Sequence, residues 1–245
     1  MAETINILML LLILCLCVVV HEMGHLVAAK RMKLPVKEFS IGFGPGLFHF
    51  VHNGTQYAFR ALPFGGYVLM DERRVRPNLR WKLLLAGPVA NFLLGMVFTV
   101  GYLIITEWAA FHSLFSVIVG LAAATLASPA IYLATIGHVL RVAIANNNLG
   151  TTVQTPIGMG IAIAHSHMGM SEWFVLGLVI SYSVGFCNLL PIPPLDGGKI
   201  FVACLNWLGY GNKHLERVTE LLGLSLILGV IAAFSWLNIV SALRP

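Results

Sequence analysis

CVVVHEMGHLVAAK, residues 17–30, sets three polar side chains into the end of an apolar run. Val18, Val19 and Val20 continue hydrophobic sequence that begins at Ile5, and His21, Glu22 and His25 interrupt it. An ionised group at the centre of a bilayer-spanning helix costs about 2.5–3.5 kcal/mol on insertion scales. Helical geometry supplies a reason to bear that cost. Residues four apart share one face, so both imidazoles can reach one metal ion, and HExxH on a helix is a zinc-binding pattern. Glu22, about 100° round the helix, can serve as general base toward an activated water. The bland alternative is a pair of core histidines bonded to backbone carbonyls, but a membrane helix leaves few carbonyls free to meet them.

Composition agrees that the surrounding helix lies in a membrane. The chain has 245 residues, 58% of them hydrophobic and 10% charged, with a mean hydropathy of +0.86. Soluble domains carry about 25% charged residues. Runs long enough to span, which need about 20 apolar residues, cover 5–28, 83–105, 173–190 and 221–240. The fold class expected is therefore an all-α polytopic membrane bundle of about four core helices. The N-terminal MAET lacks a basic n-region, so the first run reads as retained and not as a removable signal.

Ten of the fifteen Lys and Arg lie between Lys30 and Lys82, opposed by Glu38, Asp71 and Glu72. Basic loops stay cytoplasmic, which puts this segment inside and the N-terminus outside. The charge reads as topology and attraction to anionic lipid, with no nucleic acid as partner. Cys15, Cys17, Cys187 and Cys204 sit in or beside apolar runs and read as small buried side chains without a disulfide framework.

The loop 36–72 reads as β. GLFHFVHNGTQYAFRALPFGGYVLM, residues 46–70, holds two extended runs around Asn53-Gly54, which suits a two-residue type I′ turn. The expectation is a small membrane-associated hairpin or sheet after the first helix. Within it, residues 55–61 have the length of an edge strand, with Tyr57 and Phe59 as candidate substrate contacts. An extended peptide could add to that edge by main-chain bonds.

Two histidines do not complete a zinc site, which usually takes three protein ligands and an open position. The candidate third ligand lies in NLLPIPPLDGG, residues 188–198. Pro191, Pro193 and Pro194 cannot continue a helix, so the helical segment 173–198 unwinds there and brings Asp196 to the break. Alone, Asp196 would read as a helix end meeting water; beside His21 and His25 it reads as the third ligand.

These motifs together resemble the site-2 protease family of intramembrane zinc metalloproteases: HExxH in the first core helix and N-x-x-P-x-P-x-x-D-G late in the chain. The likeness extends to GFGPGLF from Gly42, LPFGGYVLMDER from Leu62, AGPVAN from Ala86 and TPIGMGIA from Thr155. It is closest to the bacterial branch that cuts anti-sigma factors and other single-pass membrane proteins. The resemblance implies that His21, His25 and Asp196 bind zinc, that Glu22 is the catalytic base, and that Asn188 contacts substrate. It also implies a bacterial inner-membrane protein with its active site toward the cytoplasm, and places Asn91 near that site. That branch usually carries PDZ domains between its second and third core helices, and residues 107–128 leave no room for one. The expectation is also that no CBS-like domain follows the last helix.

Depth and direction constrain the middle of the chain. Asp196 must reach the depth of His21 and His25, so the helix before it runs inward. The apolar region 113–145 must then cross an even number of times, and zero crossings, with an outer-side helix, is the expectation. His165 and His167 read as a polar interfacial loop in preference to a second metal site. Two other classes stay open: a metal-ion transporter, and a catalytically inactive scaffold that binds membrane helices. A transporter would offer ionisable groups along a path, often in repeated halves; here they gather at one depth and no repeat is present.

Overall fold

The computed structural model describes residues 2–71, 75, 79–106, 163, 166–208 and 213–242. The region 113–145, residues 107–128, the segment from Thr155 and His165 lie outside the described residues. The elements run α1 (Ala2–Arg31), β1 (Val36–His52), β2 (Thr55–Met70), α2 (Arg80–Thr106), α3 (Met170–Leu189), α4 (Asp196–Trp207) and α5 (Lys213–Ala242). Among the described residues, α2, α3 and nearly all of α1 are long and apolar enough to cross a membrane. Their outward faces carry exposed Leu8, Leu12, Leu93 and Val97, a surface that suits lipid and not water.

The chain forms two compact units. One gathers Met1–Leu10, Phe98–Val175 and Leu224–Pro245. In it Asn6 donates to the carbonyls of Ile163 (3.1 Å) and Ser166 (2.9 Å), and Phe98 meets Phe174 edge-on. The other gathers Leu11–Val97 and Leu176–Gly223 and holds every candidate site residue.

In that second unit α1 ends where backbone chemistry stops it. Lys33 takes φ 57°, and the Leu34 N–H returns to the Ala29 carbonyl at 3.0 Å. This is the left-handed C-terminal cap that closes many helices, and Pro35 follows it. The tip of α1 then packs on the sheet: Leu26, Ala29, Val36, Phe39, Val75 and Leu83 form the buried cluster there. Gly24 lets α1 and α2 approach closely, since a Cβ at that position would strike the Ala86 backbone.

The hairpin turn stands where expected, with Asn53 at φ 49° and Gly54 at φ 75°, both positive as a type I′ turn requires. The strands around it are longer than expected and bent. β1 kinks at Gly42 (φ 86°) and Gly44 (φ 82°), and its register against β2 shifts there, as at a bulge. The leading half of β1 thereby gains two neighbours. Phe39 partners both Tyr57 and Val68, and Ile41 partners both Phe59 and Gly66.

Residues 55–60 are therefore internal, because Tyr57 also partners Phe50 and Phe59 also partners Phe48. The edge expected at 55–61 is corrected by this pairing. The edges belong to 46–52, whose partners lie only in 55–60 among the described residues, and to 66–70, whose partners lie only in 36–41. Arg60 ties the 66–70 edge down. It donates to Glu38 Oε1 at 2.6 Å, Tyr67 Oη at 2.9 Å and Ser40 Oγ at 2.9 Å, and Tyr67 Oη donates to the same carboxylate at 2.9 Å.

α3 stops at Leu189 and the chain turns through residues 190–195 before α4 begins at Asp196. The helix break read from the prolines is present; the helix that follows it was not expected. Gly197 and Gly198 make the return possible. A Cβ on either would run into the backbone of residues 189–193.

Candidate metal centre

His21 and His25 are buried on one face of α1, and the break after α3 delivers Asp196, also buried, to them. Asp196 Oδ2 stands 3.1 Å from His21 Nε2 and 3.1 Å from His25 Nε2. The two Nε2 atoms are 3.2 Å apart. Ligand atoms about 2.0–2.1 Å from a tetrahedral ion lie about 3.3 Å from one another. The three separations are of that size, and among the described residues these three side chains form the group able to hold a metal ion. Asp196 opens α4, where the helix dipole favours a carboxylate.

The stretch AGPVAN of α2 builds the wall behind the histidines. Gly87 leaves room for them: a Cβ there would collide with Nε2 of both rings. Pro88 has no N–H for the Leu84 carbonyl and loosens that turn of α2. In the same turn the Leu83 carbonyl accepts from His25 Nδ1 at 2.9 Å. That bond puts the proton on Nδ1 and leaves Nε2 with a lone pair for a metal.

Asn91, one turn further and fully buried, stands against the corresponding nitrogen of His21. Its Nδ2 is placed 3.2 Å from His21 Nδ1, while its buried Oδ1 has no partner. Amide oxygen and nitrogen are assigned from such networks and not seen directly. A half-turn of the amide lets Oδ1 accept from His21 Nδ1–H, which frees His21 Nε2 to ligate. The Asn91 backbone carbonyl accepts from Ser181 Oγ at 2.8 Å, which fixes α2 against α3.

A cavity of about 250 Å³ opens in front of these three side chains. Glu22 lines it beside His21 and His25, as does Lys199 one turn into α4. Asn188 lines it from the end of α3, with its Nδ2 donating to the Val184 carbonyl at 3.0 Å. The sheet contributes Gly66, Tyr67, Val68 and Met70, the edge segment, and Gly66 packs against the Glu22 side chain. Thus His21, Glu22, His25, Asn188 and Asp196 come together.

Tyr57 and Phe59 do not line this cavity. Tyr57 accepts from Lys30 Nζ at 2.6 Å and stacks on Phe50, and Phe59 packs on Phe48. Sequence reasoning did not select Lys199, Gly87, Leu83 or the 66–70 edge. For Lys199 the signal was its place directly after LDGG.

The model of peptidase family M50 matches residues 9–232 of the chain, from α1 to α5. The chain belongs to peptidase family M50. Among relatives of this M50 chain, zinc metalloprotease RasP of Oceanobacillus iheyensis is 55% identical over 49 residues, 20% of this chain and 12% of the relative. Zinc metalloprotease RasP of Geobacillus kaustophilus is 45% identical over 71 residues, 29% of this chain and 17% of the relative. Protease RseP of Yersinia pestis is 40% identical over 96 residues, 33% and 21% of the two chains. Each match thus spans less than a quarter of the relative's length. Family membership and the three apolar helices make this an integral membrane protein.

Proposed function

We propose that the chain is a single intramembrane zinc metalloprotease domain that hydrolyses peptide bonds in or near the transmembrane segments of single-pass membrane proteins. The observation that carries this reading is the convergence of His21, His25 and Asp196 at 3.1–3.2 Å, with Glu22 in the same cavity. Two nitrogens and a carboxylate oxygen are a donor set suited to zinc, and relatives in the family are named zinc metalloproteases. Bound there, zinc supplies Lewis acidity toward a scissile carbonyl and toward water. Glu22 takes the proton of the attacking water and passes it to the departing amine. Asn188 orients the substrate backbone from the far side of the cavity.

The substrate bond must leave its helix to be cut. The 66–70 edge offers unpaired main-chain groups beside the metal ligands, so an unwound segment can add to it as a further strand. Exposed Leu47, Phe48, Phe50 and Val51 at the hairpin end support a sheet that dips into lipid. α5 serves as the fourth core helix, and the basic segment between α1 and α2 keeps the active site on the cytoplasmic side of a bacterial inner membrane. A transport role has less support, because the ionisable groups close on one another instead of marking a path.

Zinc content and cleavage of a tagged single-pass substrate, measured together, test the roles. Glu22→Gln is expected to keep zinc and lose cleavage. His21→Ala, His25→Ala and Asp196→Ala are each expected to lose zinc. Metal loss in Glu22→Gln, or cleavage at the normal rate, overturns the assignment.

A further inference from the structure

A second cavity, about 760 Å³, runs between α1 and α2 and shares no lining residue with the metal cavity. Its walls are apolar, with Val27 from α1 and Val89, Leu93 and Val97 from α2. Its floor is made shallow by Gly24 and Ala86, where the two helices touch. One end is different. Arg31, in the last turn of α1, and Lys82, in the first turn of α2, both line it and are both exposed. Among the described residues, no acidic side chain lines the groove.

We propose that this groove binds an anionic phospholipid, with the headgroup phosphate between Arg31 and Lys82 and an acyl chain along the α1–α2 cleft. The dimensions agree. From Lys82 to Val97 the helix rises about 22 Å, more than the roughly 15 Å of one hydrocarbon leaflet. Trp81 stands beside the charged end, 47% exposed, with Lys82 Nζ 5.4 Å from its ring centre. That is the residue type that settles at the headgroup level. Two cations with no carboxylate between them among the described residues suit a phosphate, which a guanidinium grips in a bidentate manner, and basic pockets between membrane helices favour anionic headgroups.

Charge also decides against other occupants. A substrate helix carries its own basic residues on the cytoplasmic side, which would face Arg31 and Lys82. A second copy docked symmetrically would oppose the same two cations to themselves.

The test uses the full chain, purified and analysed by native mass spectrometry with phosphatidylglycerol and phosphatidylcholine as probes. The expected result is retention of phosphatidylglycerol at least tenfold above phosphatidylcholine. The doubly substituted Arg31→Gln, Lys82→Gln chain is expected to lose that preference, while Arg31→Lys, Lys82→Arg keeps it. Val89→Trp, at an exposed wall position, is expected to expel either lipid. Equal retention of the two lipids, or a preference that survives loss of both charges, overturns the proposal. So does a photoreactive group at position 89 that cross-links to a substrate helix or to a second copy and not to lipid. Each variant is also assayed for zinc, so failure of the metal site is read separately from failure of the groove.

Discussion

Asn91 sets its side-chain amide 3.2 Å from His21 Nδ1, so a residue of α2 holds the ring nitrogen that is not turned to Asp196. With the amide oxygen toward Nδ1, the pairing selects the tautomer that leaves Nε2 a lone pair toward Asp196. Residues in this position typically change metal affinity by about 10–100-fold when removed. Asn91→Ala is therefore expected to weaken zinc binding by about that factor in competition with a chelator. Asn91→Asp, which retains an acceptor, is expected to recover part of it. Unchanged affinity in the alanine variant would leave Asn91 as packing between helices.

Gly87 makes a steric prediction that involves no polar contact. A methyl group there would occupy the space of both Nε2 atoms. Gly87→Ala is expected to lower zinc occupancy at least tenfold while helix content by circular dichroism stays as in the parent. Retention of full zinc would mean that α1 and α2 separate more easily than their Gly24 contact implies.

The sheet yields a contrast between two segments. Proline removes a main-chain donor and is tolerated only at sheet edges. Scanned through 66–70, it is expected to slow initial cleavage by about tenfold, the worth of one or two main-chain bonds of about 1 kcal/mol, with zinc retained. Alanine at the same positions is expected to be milder. Tyr57→Pro and Phe59→Pro fall in the doubly paired segment and are expected to reduce folded protein instead. If proline at 66–70 had no more effect than alanine, strand addition there would be wrong.

Glu38 gives the sheet a defined acid limit. The Arg60 guanidinium, with help from Tyr67, holds its carboxyl below the usual carboxylate range. A depressed folded value means the pair contributes fully above the unfolded carboxylate pKa of about 4.3 and loses its contribution as pH falls below it. Thermal unfolding from about pH 6 to about pH 3 is expected to show a steeper acid loss for the parent than for Glu38→Gln. Parallel curves would remove this pair from the account.

The candidate metal group was legible because its signals are local. His21 and His25 need only helical spacing, and Asp196 is marked by the prolines that end α3. The turn at Asn53-Gly54 is local too. What the sequence hid depends on approach between distant segments. Alternation cannot say which strand lies at an edge. Here the kink at Gly42 and Gly44 accompanies a second partner for the front of β1 and leaves 55–60 paired on both sides. Gly87 and Pro88 acquire their meaning only when the histidines of α1 come to rest against them. α4 was missed because the expected segment 173–198 treated Asp196 as the end of a helix, whereas it begins one.

The break between α3 and α4 has a consequence for how such a chain is made. Asp196 lies 171 residues after His25, and the two converge at the candidate metal site. A ribosome that has released only α1, the sheet and α2 into the membrane has produced two of the three candidate ligands. Under the proposed activity, the growing chain cannot attack its neighbours at the insertion site, and hydrolytic capacity arrives only when α3 is seated and the turn behind it closes.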